Sequence, residues 1–335
     1  MGNPWDYDFS AIGTRGAPLL IVVGSDEDPK EKKQGGFRLA GNSDVFQLLP
    51  DTFAFEQINL SKRFMRQQGR PDLKRYECIL NLVTDPDQHP HTLETLQKML
   101  RGHRGRVINW PEAVLRTSRD QVARRLSGIE GLCVPKVVRL RNPRPGAASA
   151  AAARAELAFP VIARLAGTHT GKIIGLVDDA AALDAACAGQ GEFILTEFVD
   201  FRSDDGLYRK YRLWSFGDRT IFRHKLITDN WNVHVSERTR FMLGRPDLIA
   251  EELRVLDRPD GVFPEPVHAV FDAVRARMGL DFFGMDFGMD RQGQVVLFEA
   301  NATMGFFPLV AHPRFSYLET ILGPAQEAFR ALLFP

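Results

Sequence analysis

Two runs in the first quarter of the chain are apolar without alternation: Leu19-Leu20-Ile21-Val22-Val23 and Cys78-Ile79-Leu80-Asn81-Leu82-Val83. A strand with one wet face alternates apolar and polar residues, whereas a strand covered on both faces does not. These runs therefore predict strands of a parallel sheet sandwiched by helices, which places the chain in the α/β class. Gly24-Ser25-Asp26 closes the first run and Thr84-Asp85-Pro86-Asp87 the second. The mixed stretch Phe46 to Met65 lies between them. A helix over residues 91–101 and a short strand at Arg106-Val107-Ile108-Asn109 continue the alternation. Together they give a small three-layer N-terminal domain, residues 1–112.

The remaining length is enough for two further units in a chain of 335 residues. With 44 % hydrophobic and 25 % charged residues, disordered and fibrous classes are excluded. Lys and Arg number 43 against 42 Asp and Glu, so no global field attracts nucleic acid or an anionic membrane. Cys78, Cys133 and Cys187 lack metal-ligand spacing, which argues against zinc and a disulfide framework and for a reducing compartment. The run Ala17 to Val23 is too short to span a bilayer and has no leader pattern, so a cytoplasmic location is expected.

Thr117-Ser118-Arg119-Asp120 predicts a capped helix start, with the helix running to Leu126 and stopping at Gly128. An alanine-rich helix is expected over residues 147–155. Phe159 to Leu165 and Ile173 to Val177 read as a hairpin across the small-residue loop Gly167-Thr168-His169-Thr170-Gly171-Lys172. Beyond Gly191 the pattern is strongly β: Phe193 to Val199, a hairpin of Tyr208–Phe216 with Thr220–Ile227, a helix over 267–278, then Phe283–Met289 and Val295–Ala300. These boundaries divide the chain into residues 1–112, 113–190 and 191–335.

The sharpest local signal is the second hairpin of that region, turning at Gln292-Gly293. Its register sets Asp286 opposite Glu299, and Asn301 shares the face of Glu299. Like charges directly across a sheet repel, and a cation converts that cost into binding. Two carboxylates and an amide oxygen suit Mg²⁺ or Mn²⁺. The bland alternative is that the acids face solvent or pair with arginine; the apolar flanks favour a metal. A β-bulge would change the register.

Other motifs are weaker. Gly167 to Lys172 is not a Walker A sequence, yet its backbone N–H groups could cover phosphates with Lys172 and Arg164 supplying charge. An ordinary hairpin tip is equally in keeping with it. Asp286-Phe287-Gly288 spells a kinase tripeptide without the rest of the kinase signature. Arg209-Lys210-Tyr211-Arg212 and Arg223-His224-Lys225 put many cations on adjacent strands, as a solvated face or an anion clamp. Alternation aims Lys210 and Arg212 to one face and Arg209 and Tyr211 to the other.

Taken together, Val107-Ile108-Asn109, Thr117-Ser118-Arg119-Asp120, Pro160-Val161-Ile162-Ala163-Arg164, Thr196-Glu197-Phe198-Val199, Arg212, Gly284-Met285-Asp286 and Phe298-Glu299-Ala300-Asn301 resemble the ATP-grasp superfamily. The likeness is to carboxylate–amine ligases of the ribosomal-modification and D-alanine–D-alanine ligase type, over residues 107–310. It implies an ATP-grasp fold behind an N-terminal pre-grasp domain, with a small lobe over 113–190 and a large lobe over 191–335. It implies ATP at Arg119, Arg164, Lys172, Glu197, Phe198 and Val199, with Asp200 or Asp205 near the ribose. It further implies Mg²⁺ (or Mn²⁺) at Asp286, Glu299 and Asn301, and catalytic roles for Arg212 and Lys225. Substrate contacts from Asn81 and the loop Gly24 to Gly36 would follow. Arg119 and Arg164 stand where the family commonly has lysine, and Met304-Gly305 replaces its usual ending.

The chemistry so implied is ATP-dependent activation of a carboxylate, followed by amide formation. No nucleophilic triad is needed for it, and none is visible. Two rivals keep the fold: a kinase for a small molecule or peptide, and a nucleotide-binding protein without catalysis. The expected partners are ATP and a carboxylate-bearing molecule, not nucleic acid or a membrane; a homodimer is compatible with the sequence.

Overall fold

The computed structural model describes residues 19–27, 40–49, 54–62, 65–66, 71–167, 173–307, 309–310 and 312–335. Its strands fall into three sheets. The first contains β1 (Leu19–Val23), β2 (Phe55–Asn59), β3 (Cys78–Asn81) and β4 (Arg106–Ile108), in the order β2-β1-β3-β4 and all parallel. Successive residues of β1 feed different cores. Leu19, Ile21 and Val23 join the cluster shared with the large sheet, while Leu20 and Val22 pack with Leu60, Leu96 and Leu100. That division explains the absence of alternation, and each aliphatic side chain so buried contributes about 1.5–3 kcal/mol.

The edge strand β2 was not expected. Its Glu56 is buried, which no local pattern announces; the carboxylate accepts from Tyr76 Oη at 2.6 Å and pairs with Arg75. Helix Pro90–Met99 covers one face. Asn109, in left-handed backbone at φ +56°, then ties this domain to the next. Its Oδ1 accepts from the N–H groups of Asp281 (2.8 Å) and Phe282 (3.1 Å), and its Nδ2 donates to Phe282 O at 2.9 Å.

The second sheet collects β5 (Leu132–Cys133), β10 (Tyr208–Phe216), β11 (Arg219–Thr228), β12 (Phe282–Met289) and β13 (Val295–Asn301), in the order β11-β10-β12-β13-β5. Its core is aromatic. Trp214 is wholly buried and stacks on Phe216 and Phe282, with Phe306 edge-on at 5.7 Å. Helices Glu265–Met278 and Leu322–Leu333 supply Phe271 and Phe329 to the same cluster.

The third sheet holds β6 (Val137–Arg141), β7 (Val161–Leu165), β8 (Ile173–Val177) and β9 (Glu192–Glu197), in the order β6-β9-β7-β8 and antiparallel. Sheet membership crosses the boundaries read from the sequence. β9 lies beyond residue 190 yet completes this small sheet, and β5 lies before it yet joins the large one. Helix Arg119–Leu126 begins after Ser118 as expected, but the Ser118 hydroxyl bonds Asp120 Oδ1 (3.0 Å) and no backbone N–H. No helix among the described residues is long and apolar enough to cross a membrane.

Candidate functional site

A cleft of about 720 Å³ separates the small sheet from the large one. A narrower cavity adjoins it beside helix Arg119–Leu126, sharing Arg119, Arg164, Thr196 and Glu299 in its walls.

The hairpin β12–β13 forms one wall. Its turn is held by Asp290, whose Oδ1 accepts from the N–H groups of Gln292 (2.9 Å) and Gln294 (2.8 Å), with Gly293 at φ +80°. Next to the turn the register is one residue off the expected one, pairing Phe287 with Leu297. A bulge at Phe298 then restores it, so that Asp286 does face Glu299. The close approach of the Phe298 ring requires Gly288, where a Cβ would lie 2.7 Å from the ring. Met304 similarly fills the space over Gly284, with its sulfur 2.8 Å from a Cβ built there.

Each carboxylate of the pair meets cations. Arg212 holds Asp286 through Nε (2.6 Å) and Nη2 (2.8 Å), and Lys210 Nζ adds a contact at 3.0 Å. Burial alone would raise the Asp286 carboxyl, but Arg212 and Lys210 hold it well below the ordinary carboxylate range. Glu299 pairs with Arg119 Nη2 at 3.0 Å and accepts from Asn301 Nδ2 at 2.9 Å. Arg119 Nη1 also donates to the carbonyl of the bulged Phe298 at 2.6 Å.

Arg164 differs from these. Its Nε is buried with no hydrogen-bond partner, and burial followed by the charge of Arg119 brings the guanidinium down to about 9. Two neighbouring cations, Arg119 and Arg164, with Glu299 as the acid acting on both, make a seat for an anion such as phosphate.

At the opposite end, a second bulge opposite Arg212/Leu213 leaves Arg223 as the extra residue of β11. Arg223 and His224 are consecutive, yet both line the cleft. Arg223 Nε donates to Phe306 O at 2.7 Å, and burial with the charges of Arg238 and Arg212 lowers it to about 9. His224 is buried with Nε2 unpartnered; burial and the surrounding guanidinium groups push it well below its usual range, so the ring is neutral. Both belong to the run Arg223-His224-Lys225 read from the sequence as a solvated face or an anion clamp, but neither was named as a site residue, because a bulge leaves no mark on spacing.

Glu197, Phe198 and Val199 line the cleft where β9 ends, and Glu197 accepts from the Lys136 N–H at 3.0 Å. Phe198 packs edge-on to Trp231 at 5.6 Å. Trp231 opens a further lining segment, Trp231 to Ser236, that the sequence reading did not include. Behind it lies the wholly buried ion pair of Arg238 and Glu252, with Tyr317 Oη donating to Glu252 at 2.6 Å.

Several expected residues lie elsewhere. Lys225 pairs across the sheet with Tyr211 and not with Arg212, so its ammonium emerges on the far face, 2.6 Å from Glu251. Asp205 is clasped by Arg209 at 2.7 and 2.8 Å on that same face, which brings its carboxyl down to about 2. Asp200 sits on an exposed turn, accepting from the Arg202 N–H at 3.0 Å, and lines no part of the cleft. Asn81 is committed to Asn109 O (2.9 Å) and the Val83 N–H (3.0 Å). These four are corrections to the expected grouping. Lys172 and most of the loop Gly24 to Gly36 lie outside the described residues.

Among the described residues no three His, Cys, Asp or Glu side chains gather as a metal cluster. The expected donors are two acids and an amide, and Asn301 Oδ1 is buried without a hydrogen-bond partner. The set is all oxygen, which fits a hard divalent cation that displaced Arg212, Lys210 and Arg119 from the carboxylates.

A scan against models of known protein families finds no match, and a search of curated proteins finds none either. Solved structures do match. The VanG D-Ala:D-Ser ligase from Enterococcus faecalis is 15 % identical, with a TM-score of 0.54 over 94 % of this chain and 98 % of that one. A RimK domain ATP-grasp protein from Sphaerobacter thermophilus is 12 % identical, with a TM-score of 0.52 over 95 % and 100 %. The chain has the ATP-grasp fold, as the sequence motifs implied.

Proposed function

We propose that this chain is an ATP-dependent ligase that activates a carboxylate as an acyl-phosphate and passes it to an amine. The observation that carries the reading is a cleft lined by Asp286, Glu299, Arg119 and Arg164, with Asn301 in the narrower cavity that adjoins it. The neighbour named as a D-Ala:D-Ser ligase lends it support at the level of fold.

In the first step a carboxylate oxygen attacks the γ-phosphorus and the β–γ bridging oxygen leaves with ADP. In the second an amine nitrogen attacks the acyl carbon, phosphate leaves, and the amine gives up a proton. Mg²⁺ or Mn²⁺ held by Asp286, Glu299 and Asn301 would neutralise the phosphate oxygens. Arg164, with Arg119 beside it, meets the charge of the phosphate chain. Arg212 lies between Asp286 and the β11 end of the cleft, where the acyl-phosphate forms. Glu197 to Val199 border the purine, and Ile162 and Leu297 supply apolar faces to either side of it. The chain thereby positions and neutralises charge, without a covalent nucleophile of its own.

Thermal unfolding with and without Mg²⁺ and ATP tests the nucleotide site. At about 100 times the dissociation constant the ligand adds roughly 2.7 kcal/mol, and Glu299→Gln should lose the magnesium-dependent part. Hydroxylamine then traps an acyl-phosphate as a hydroxamate. ADP formed from ATP and an acceptor without hydroxamate would assign a kinase instead; nucleotide binding without ADP would assign a binding protein.

A further inference from the structure

The two carboxylates that face each other across β12 and β13 are committed to cations of the chain, and those cations are not equally fixed. Arg212 stands directly opposite Asp286 on β10 and grips it with Nε (2.6 Å) and Nη2 (2.8 Å). Its Nη1 is anchored in turn on Gly305 O at 3.0 Å. Lys210 meets the same carboxylate through its ammonium, at 3.0 Å and on a flexible four-carbon stem. Arg119 Nη2 meets Glu299 at 3.0 Å. The Lys210 and Arg119 side chains are 17 % and 18 % exposed and both line the cleft, so a ligand can reach either one. Three cations thus face two acids, and these five side chains are together net positive. A divalent ion at the carboxylates competes with these pairs and is repelled by the cations that form them. A polyphosphate reverses that balance, because ammonium and guanidinium groups pair with phosphate oxygens as well as with carboxylates.

We infer that Lys210 and Arg119 are exchangeable counter-ions: they hold Asp286 and Glu299 until a polyphosphate takes them, and only then do the two acids accept a divalent ion. The inference rests on the nucleotide and metal reading of this cleft. It adds an order of binding, with the phosphate chain arriving before the metal or together with it. It also adds a role for Lys210, one of the cations read from the sequence as a solvated face or an anion clamp. By linkage, polyphosphate and metal raise each other's affinity by the same factor. Arg212, held by Gly305 as well as by Asp286, is the least readily moved of the three cations.

The test is titration of the full chain with Mn²⁺ alone, without nucleotide, followed by the paramagnetic resonance signal of free Mn²⁺. The double variant Lys210→Met, Arg119→Met should bind the ion roughly tenfold or more tightly than the wild type. Adding Glu299→Gln to the double variant should abolish that gain, which assigns the ion to the acid pair. Lys225→Met removes a cation on the far face of the sheet, beside Glu251, and should leave Mn²⁺ binding unmoved. Circular dichroism and urea midpoints report folding in each variant. Lys210→Met by itself keeps Arg212 on Asp286 and is the milder change; it should still show a gain of several-fold if the double variant does not fold.

Mn²⁺ bound by the wild type as tightly as by the folded variants overturns the inference. So does a gain that survives Glu299→Gln, or one that Lys225→Met reproduces. The nucleotide reading is scored separately, by thermal unfolding of the wild type with Mg²⁺ and a non-hydrolysable ATP analogue. A shift there, with no Mn²⁺ gain in the variants, sinks the counter-ion exchange and leaves the nucleotide site standing. No shift, even with the Mn²⁺ gain, sinks the nucleotide reading and with it the transfer of Lys210 and Arg119 to phosphate.

Discussion

Asp286 and Glu299 face each other directly across β12 and β13, yet their carboxylates are held by cations from different elements. Arg212 and Lys210 come from β10, and Arg119 comes from the start of the helix that follows the first domain. The acid pair is therefore a junction between two parts of the molecule as well as a candidate metal seat.

Substitutions at the two acids should separate stability from chemistry. The Asp286 side chain is only 4 % exposed, so Asp286→Asn leaves Arg212 and Lys210 without their acid and should cost about 3–5 kcal/mol. The Glu299 side chain is 30 % exposed, and Glu299→Gln should cost under about 1 kcal/mol. Turnover should nevertheless fall on the order of 10²-fold in Glu299→Gln, as for loss of a charge-stabilising group. Urea unfolding alongside ADP release checks both; a Glu299→Gln enzyme with unchanged turnover would remove the metal assignment.

Arg139 on β6 joins three separate elements. Its guanidinium contacts Asp87 of the first domain (2.9 Å), Asp120 of helix Arg119–Leu126 (2.9 Å) and Glu192 of β9 (2.8 Å). Nearby, Gln88 Nε2 donates to Gly167 O at 3.1 Å, so the same loop touches the end of β7. Burial keeps the Asp87 carboxyl above its ordinary value despite Arg139, whereas Asp120, helped by Ser118, lies below its own. Asp120→Asn should therefore destabilise by about 2 kcal/mol, whereas Asp87→Asn should be close to neutral. Arg139→Met should increase hydrogen exchange across residues 161–177 and weaken nucleotide binding; unchanged exchange there would show that the small sheet does not depend on this contact.

Much of this arrangement was legible because it is local. The non-alternating run of β1 and the polar turn Asp290 to Gln294 each announce themselves within a few residues. The facing of Asp286 and Glu299 was read correctly, although the register beside the turn is offset and the Phe298 bulge compensates it. What escaped depends on partners distant in sequence. Glu56 is buried in a strand only because Tyr76 and Arg75 meet it, and the bulge that turns both Arg223 and His224 into the cleft follows from how β11 packs on β10. Spacing alone could not distinguish the two faces available to Lys225.

Lys225 offers a direct check on that correction. Its side chain is 8 % exposed and bound to Glu251, which also receives Arg209 at 3.0 Å. Lys225→Met leaves Glu251 with Arg209 still in place, so the cost should be about 1–2 kcal/mol. Catalysis should stay within about twofold of the wild type, since the charge lies across the sheet from the cleft. A turnover lowered by orders of magnitude in a folded Lys225→Met protein would return the residue to the site.

Asp44, on the loop before the first short helical turn, predicts a pH dependence of stability. Burial raises its carboxyl from 3.8 to about 6, and the Phe46 N–H offsets this only in part. The folded state therefore holds this proton more tightly than the unfolded chain does. Below about pH 4 the side chain is neutral in both states and carries no penalty. As pH rises towards 6 the unfolded chain ionises first, and stability is lost; above it the folded protein carries a buried charge. The displacement corresponds to about 3 kcal/mol. Asp44→Asn, which stays neutral, should be more stable than the wild type by about 2–3 kcal/mol at pH 8, with the advantage vanishing near pH 4. Denaturant midpoints of the two proteins across that range decide the matter: a pH-independent difference would mean that the Asp44 carboxyl ionises at its ordinary value.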